Sequence, residues 1–358
     1  MDRRPDMDAL AAAKRRQYVK QEKRKHRILV TLLAVTILAI WGVIIFALYK
    51  LWAPVALPPA TTEATAGVTP AVTTSRVPTG TLETEPPRTE AVTLTADDVH
   101  RGDLILVSTL LERAYVFPKD ERDLVTLYGN KSGSYRVSSS AIKLSRTTMA
   151  ALDEMFDAFF AETGSRDYQI TQGYRTLEEQ TEIYDDYQEI YGAEQGALLA
   201  ARPGYSEHHT GMAIDMNVYT TAGVSYSLAT AGDTDPIYTW IYTNAAKYGF
   251  VLRYPDSKTA VTGITNEPWH FRYVGRGHAA YMAENSLTLE EYLARVAGYS
   301  AASPLEFAAD GILYTVYYVP LSGSEVKLEL PAGADYTVSG DNDAGFIVTL
   351  RTADMTIE

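Results

Sequence analysis

The chain contains no cysteine, and histidine occurs only six times in 358 residues. The missing thiols exclude disulfides, a disulfide-linked partner and any cysteine-ligated zinc, so a metal site here must draw on His, Asp and Glu. Basic charge is scarce beyond the N-terminus. Residues 1–27 hold ten Lys or Arg against four Asp or Glu, whereas the remainder holds 22 against 41, a net −19. A body of that sign lacks the clustered cations that phosphate contacts need, which argues against nucleic-acid binding. Charge is absent altogether from Ile28 to Tyr49. As a helix, a stretch of that length crosses about 30 Å of hydrocarbon. Lys23, Arg24, Lys25 and Arg27 precede it and Lys50 alone follows, with Trp41, Tyr49 and Trp52 toward the far half. The positive-inside rule then puts residues 1–27 in the cytoplasm and everything after residue 50 outside a single-pass cell-membrane anchor. A cleaved signal peptide would carry a shorter apolar core, of about 7–15 residues.

Large apolar residues are the next scarcity. Residues 50–96 are rich in Thr, Pro and Ala, a composition that buries too little surface to offset ordering entropy, and a disordered tether is expected there. Beyond it, the overall 46% hydrophobic content suits a packed core. Residues 97–298 are expected to form the main domain. Leu104–Ser108 reads as a buried strand after a turn at Arg101–Asp103. Met149, Leu152, Met155, Phe156, Phe159 and Phe160 recur at helical spacing between Ser145 and Glu162, with Gly164 as the stop. Tyr168–Thr171 reads as a short strand. Thr176 and Glu179 form a capping box that opens a helix with Leu177, Ile183, Tyr184, Tyr187 and Ile190 on its apolar face. Asp235-Pro236 starts another helix, ended by Gly249. Phe250–Tyr254 and Trp269–Tyr273 read as strands, and Thr288–Val296 as a last capped helix. Residues 299–358 change texture: alternating runs such as Ile312–Val319 and Gly345–Leu350, separated by turn signals, predict a small all-β unit.

Two of the six histidines stand together in Arg202–Val218, a third closes Glu267-Pro-Trp-His270, and Asp215 follows the pair. Catalytic zinc takes three protein donors and keeps one position open for water. One of His208 and His209, with Asp215 and His270, supplies such a set. Ala213, Asp215 and Asn217 share one face of an alternating run, and Met212, Ile214 and Met216 the other, so the carboxylate looks into a cleft while the apolar face packs. A glutamate three residues from His270 has the opposite strand parity, and a bend at Pro268 is expected to bring Glu267 round. Ser206 and Gln180 are further polar candidates for contact with a substrate. Tyr174 and Trp269 are candidates to line its cleft, and His209 either lines it or supports the site from behind.

Ser206-x-His208-x-x-Gly211-x-Ala213-x-Asp215, followed by Glu267-x-Trp269-His270, resembles the zinc D-alanyl-D-alanine carboxypeptidase family associated with vancomycin resistance. Gly173-Tyr-Arg-Thr-x-x-x-Gln180 matches a third element of that family, with Thr176 where serine is more usual. The resemblance spans residues 98–297. It implies one catalytic zinc held by His208, Asp215 and His270, with Glu267 as base and Arg175 stabilising the oxyanion. It implies an α+β fold, a small, mainly antiparallel sheet carrying the zinc site with helices around it, joined here to the N-terminal transmembrane helix and the C-terminal β unit. The implied activity is removal of the terminal D-alanine from peptidoglycan stem peptides. An L,D-carboxypeptidase acting on tetrapeptide stems is the near alternative. A non-catalytic wall-binding module is the distant one, and it has no use for Glu267.

Overall fold

A computed structural model describes residues 89–118 and 123–353. The membrane helix expected at 28–49 and most of the tether expected over 50–96 lie outside those residues. Among the described residues no helix is long and apolar enough to cross a membrane.

The alternating run behaves as expected and forms the central strand, Ala213–Tyr219. It pairs antiparallel with Tyr168–Gln172 on one side and with His270–Tyr273 on the other. Phe250–Leu252 extends the sheet beyond His270–Tyr273, Ser225–Ser227 folds back on the central strand, and Arg136–Val137 adds a parallel edge. Ile214, Met216 and Val218 point into the main core with Leu152, Met155, Phe156 and Phe159 of the helix Arg146–Thr163. That helix starts where the Ser145 side chain accepts from the Thr148 N–H and stops at Gly164, whose φ of 73° suits glycine. The fold is therefore mixed α+β with a mainly antiparallel sheet.

Three expectations about local structure need correction. The helix Leu177–Tyr191 has the reciprocal Thr176/Glu179 box, but it lies on the periphery: Leu177 is 48% exposed, and the one fully buried residue of the helix is Gln180. Leu104–Val107 is buried yet is no strand. Its backbone groups are satisfied from several directions, by Ser339 Oγ at Leu104 N, Asn342 Nδ2 at Leu106 O, Arg272 Nη2 at Ile105 O and the Asp341 carbonyl at Leu106 N. The stretch from Asp235 to Gly249 is a helical run in three pieces, a short α-helix between two 3₁₀ turns.

The C-terminal unit is all β, with Leu305–Ala309, Ile312–Pro320, Gly345–Ala353 and Asp335–Gly340 in one antiparallel sheet. Glu325–Pro331 leaves that sheet and pairs instead with Thr89–Thr95, in register from Thr89↔Pro331 to Thr95↔Glu325. The last residues assigned to the tether are thus an ordered strand. Val92 and Leu94, alternating with threonine, pack with Leu328 and Leu330 against Tyr317 and Val348. Nor is residue 299 a break between independent cores. Leu305, Tyr314, Val316 and Ile347 share one cluster with Leu104, Leu106, Val274, Tyr292 and Val296.

His278 stitches this shared core. Its two ring nitrogens are hydrogen-bonded with the Tyr292 hydroxyl at 2.6 Å and the Thr349 hydroxyl at 3.2 Å. Burial, helped by the nearby Arg351 charge, pushes the imidazole down to about 4. A pKa depressed in the folded state gives stability that is complete above the unfolded value and is lost as pH falls toward the folded one. The loss between pH 6.5 and 4 should be about 3 kcal/mol. Urea melts of His278→Gln should start less stable at pH 7.5 yet lose less on acidification than wild type. Parallel acid limbs for the two proteins would contradict this.

Candidate active site

The site is built on one 3₁₀ turn and two paired strands. Ser206 is extended, Glu207–Thr210 make the turn, and Gly211 closes it at φ 70°. That left-handed conformation is what calls for glycine; a Cβ there would also press on the end of the Leu124 side chain, at 2.6 Å. The turn aims His208 so that its Nδ1 donates to the Gly173 carbonyl at 2.7 Å. Gly173 is itself confined, since a Cβ there would meet the Lys143 carbonyl at 2.4 Å. His208 Nε2 is left 3.3 Å from Asp215 Oδ2. Asp215 and His270 are directly opposed across the ladder, which puts their side chains on one face, and His270 Nδ1 lies 3.0 Å from Asp215 Oδ1. One donor atom from each of His208, Asp215 and His270 falls within 4.8 Å of the others.

Glu267 reaches the same point through a turn. The His270 N–H donates to the Glu267 carbonyl at 3.1 Å, and Glu267 Oε2 comes within 3.6 Å of His270 Nδ1. This is the bend that strand parity demands at Pro268. Arg175 reaches the other oxygen of Asp215. Its Nη1 donates to Gln180 Oε1 at 2.6 Å, and its Nη2 lies 3.7 Å from Asp215 Oδ2.

Electrostatics follow from this crowding. Burial would raise Asp215, but the adjoining His208 and His270 imidazoles hold it far below the usual carboxylate range. Burial and the Arg175 charge take His208 down to about 4, so it is neutral at physiological pH, the state a metal ligand needs. Burial opposes protonation of His270 too, yet the hydrogen bond to Asp215 and the nearby Glu207 carboxylate carry it up to about 9. Glu267 is pushed up to about 7 by burial, with Asp215 reinforcing the shift and His270 and Arg175 opposing it.

The other expected site residues fall differently. Both ends of the Gln180 amide are tied to protein, the oxygen to Arg175 and the nitrogen to the Ala201 carbonyl at 2.7 Å, so its contacts orient Arg175 rather than open onto a cleft. His209 takes the supporting place of its two expected ones and does not line a cleft. It is buried, Nδ1 donates to the Arg175 carbonyl at 2.7 Å, and Nε2 accepts from the Gly204 N–H at 3.2 Å. The ring packs against Phe117 with centroids 4.9 Å apart. Neither nitrogen is left for a metal or a substrate. Ser206 is buried at the start of the turn, Tyr174 is half-buried beside Arg175, and Trp269 stands 36% exposed on the Glu267–His270 turn.

Sequence reasoning missed what lies behind the site. Glu207 is fully buried and its Oε1 accepts from Arg253 Nε at 2.9 Å and Arg272 Nη1 at 3.1 Å. Arg253 in turn makes a two-pronged pair with Glu290, at 2.6 and 2.9 Å. The signal was present: each arginine sits alone among apolar and aromatic strand residues, in Phe250-Val-Leu-Arg-Tyr and His270-Phe-Arg-Tyr. A cation there has to be paired inside the protein.

Two imidazoles and a carboxylate converge, the three protein donors that a catalytic zinc takes, and an acid with a raised pKa and a buried guanidinium flank them. The set fits a single catalytic zinc, and it defines the protein as a metal-dependent hydrolase. Comparison with known proteins sharpens the class. The model of the D-alanyl-D-alanine carboxypeptidase family VanY matches residues 141–276. A D-alanyl-D-alanine carboxypeptidase of Enterococcus faecium is 31% identical over 262 residues, which is 73% of this chain and 79% of that protein. The bifunctional D-Ala-D-Ala dipeptidase and carboxypeptidase VanXYC of Enterococcus gallinarum is 37% identical over 136 residues, 36% of this chain and 66% of that one. The crystal structure of the D,D-dipeptidase VanXYg with a D-Ala-D-Ala phosphinate analogue is similar at a TM-score of 0.64 and 30% identity, covering 74% of this chain and 99% of that one. The chain belongs to the D-alanyl-D-alanine carboxypeptidase family and is a zinc-dependent carboxypeptidase. The likeness is also longer than the motifs alone suggest: 262 aligned residues reach beyond residues 98–297.

Proposed function

We propose that the protein is a D,D-carboxypeptidase that removes the terminal D-alanine of peptidoglycan stem peptides, with His208, Asp215 and His270 holding its zinc. The observation that carries this reading is that Glu267 and Arg175 both close on that donor set, Glu267 at His270 and Arg175 at Asp215. Bound zinc supplies Lewis acidity, polarising the scissile carbonyl and making a water acidic near neutral pH. Glu267, poised near 7, takes the water's proton and returns it to the departing amine. Arg175 keeps its charge at every working pH and faces the oxygen on which negative charge develops, with Gln180 fixing its direction. The names of the Enterococcus relatives support the D-Ala-D-Ala end as substrate. The apolar stretch Ile28–Tyr49 with its basic flank supports an anchor that holds the enzyme outside the membrane.

Mass spectrometry of three substrates tests the reading: a pentapeptide stem, a tetrapeptide stem and free D-Ala-D-Ala. The expected result is release of D-alanine from the pentapeptide, faster by an order of magnitude or more than from either other substrate. Preferential cleavage of the tetrapeptide would make the protein an L,D-carboxypeptidase, and preferential cleavage of the dipeptide a dipeptidase. A zinc-loaded protein inert toward all three would leave a wall-binding module.

A further inference from the structure

Two buried polar atoms at the back of the site lack hydrogen-bond partners, and they face each other. One is Glu207 Oε2 and the other is His270 Nε2, 3.8 Å apart. Buried groups left unpaired are costly, so such a pair marks a contact the protein uses. The rest of each side chain is fixed. Glu207 Oε1 is held by Arg253 and Arg272, which keeps the carboxylate charged and aims its second oxygen at the ring. His270 Nδ1 is turned the other way, toward Asp215 and Glu267. Arg272 is anchored further by donating to the Asp103 and Ile105 carbonyls, and Arg253 by Glu290, so neither cation can swing away.

We propose that Glu207 is a positioning residue that holds His270 in the tautomer protonated at Nε2, leaving the Nδ1 lone pair for the metal. A neutral imidazole carries its proton on one nitrogen and offers a lone pair on the other, and a carboxylate facing Nε2 selects between the two arrangements. Asp215 does not hydrogen-bond that nitrogen, because it faces Nδ1. The same 3₁₀ turn thus serves the site twice. Glu207 orients one proposed ligand from behind, and its neighbour His208 is another, oriented by the Gly173 carbonyl. Glu207, Arg253, Arg272 and Glu290 bring two negative and two positive charges, so the buried cluster is balanced without the metal.

The inference rests on the zinc reading above, and the test separates the two. Proton–nitrogen correlation spectra of the zinc-loaded wild-type protein report the tautomer of His270 directly. A proton on Nε2 with Nδ1 shifted by the metal is expected. A proton on Nδ1 would overturn the inference while leaving zinc binding intact, whereas failure of the wild type to bind zinc would overturn the zinc reading itself. The second arm is Glu207→Asp, which keeps the charge beside both arginines but withdraws the oxygen from the ring. Chelator competition should show zinc affinity lower by roughly 10–100-fold, and the Nε2 proton should move upfield or exchange faster with water. Unchanged affinity and an unchanged spectrum would overturn the inference. If the variant does not fold, the wild-type spectrum decides alone.

Discussion

Replacing Glu267 with glutamine should leave zinc bound and the fold intact while turnover of the pentapeptide falls by about 10²–10⁴-fold. Glutamine has nearly the same shape, so the Glu267–His270 turn, held by its backbone hydrogen bond, has no reason to change. The proton acceptor is what disappears. The substitution also removes a carboxylate that burial and Asp215 disfavour in its charged form, so the melting temperature should hold or rise. The pH profile distinguishes this from a general loss of activity. Glu267 acts in its ionised form, and its pKa is raised to about 7, so wild-type turnover should climb with pH through an acid limb. The charge of bound zinc works against that rise, which places the limb at or below about 7. In Glu267→Gln the residual rate should have no such limb. Wild-type turnover in the variant, or an identical limb, would remove Glu267 from the role of base.

Why the site could be read from sequence while its support could not is a matter of range. His208, Asp215, Glu267, His270 and Arg175 sit in short motifs whose spacing reflects local constraints, namely a 3₁₀ turn ended by Gly211, strand alternation and a turn at Pro268. Local signals also marked the Thr176 and Thr288 caps, each of which accepts the expected backbone N–H. The opposition of Asp215 and His270 depends on strand register across a separation of 55 residues, and no local pattern specifies that. The cluster of Glu207, Arg253, Arg272 and Glu290 is non-local in the same way, and charged residues are surface residues by default. Thr89–Thr95 was lost to its setting: a weak alternation of Val92 and Leu94 at the end of a Thr- and Pro-rich stretch becomes a strand only because Glu325–Pro331 offers a free edge. Leu104–Val107 failed for the converse reason. Its apolar residues are buried as a strand's would be, but its hydrogen bonds go to side chains and a loop carbonyl.

The adjacent histidines give the sharpest contrast available in this chain. His208→Ala should bind zinc too weakly to retain it through dialysis, with affinity down by more than the ~100-fold that loss of a ligand's hydrogen-bonding partner costs, and turnover should fall below detection. His209→Ala should keep one zinc per chain. The structural reason is that the two rings leave the turn in different directions. His208 Nε2 faces Asp215, while both nitrogens of His209 are spent on the Arg175 carbonyl and the Gly204 amide. The His208 variant should still fold, because Arg175 already lies 3.7 Å from Asp215 and partners its carboxylate when the imidazole is gone. The His209 variant loses its packing against Phe117 and the anchor of the Arg175 backbone, so its defect should appear in turnover and in thermal stability rather than in metal content. Metal analysis after dialysis separates the two variants without reference to activity. Zinc lost from His209→Ala and kept by His208→Ala would move the donor set by one residue, and the geometry around Gly173 and Asp215 would then need another explanation.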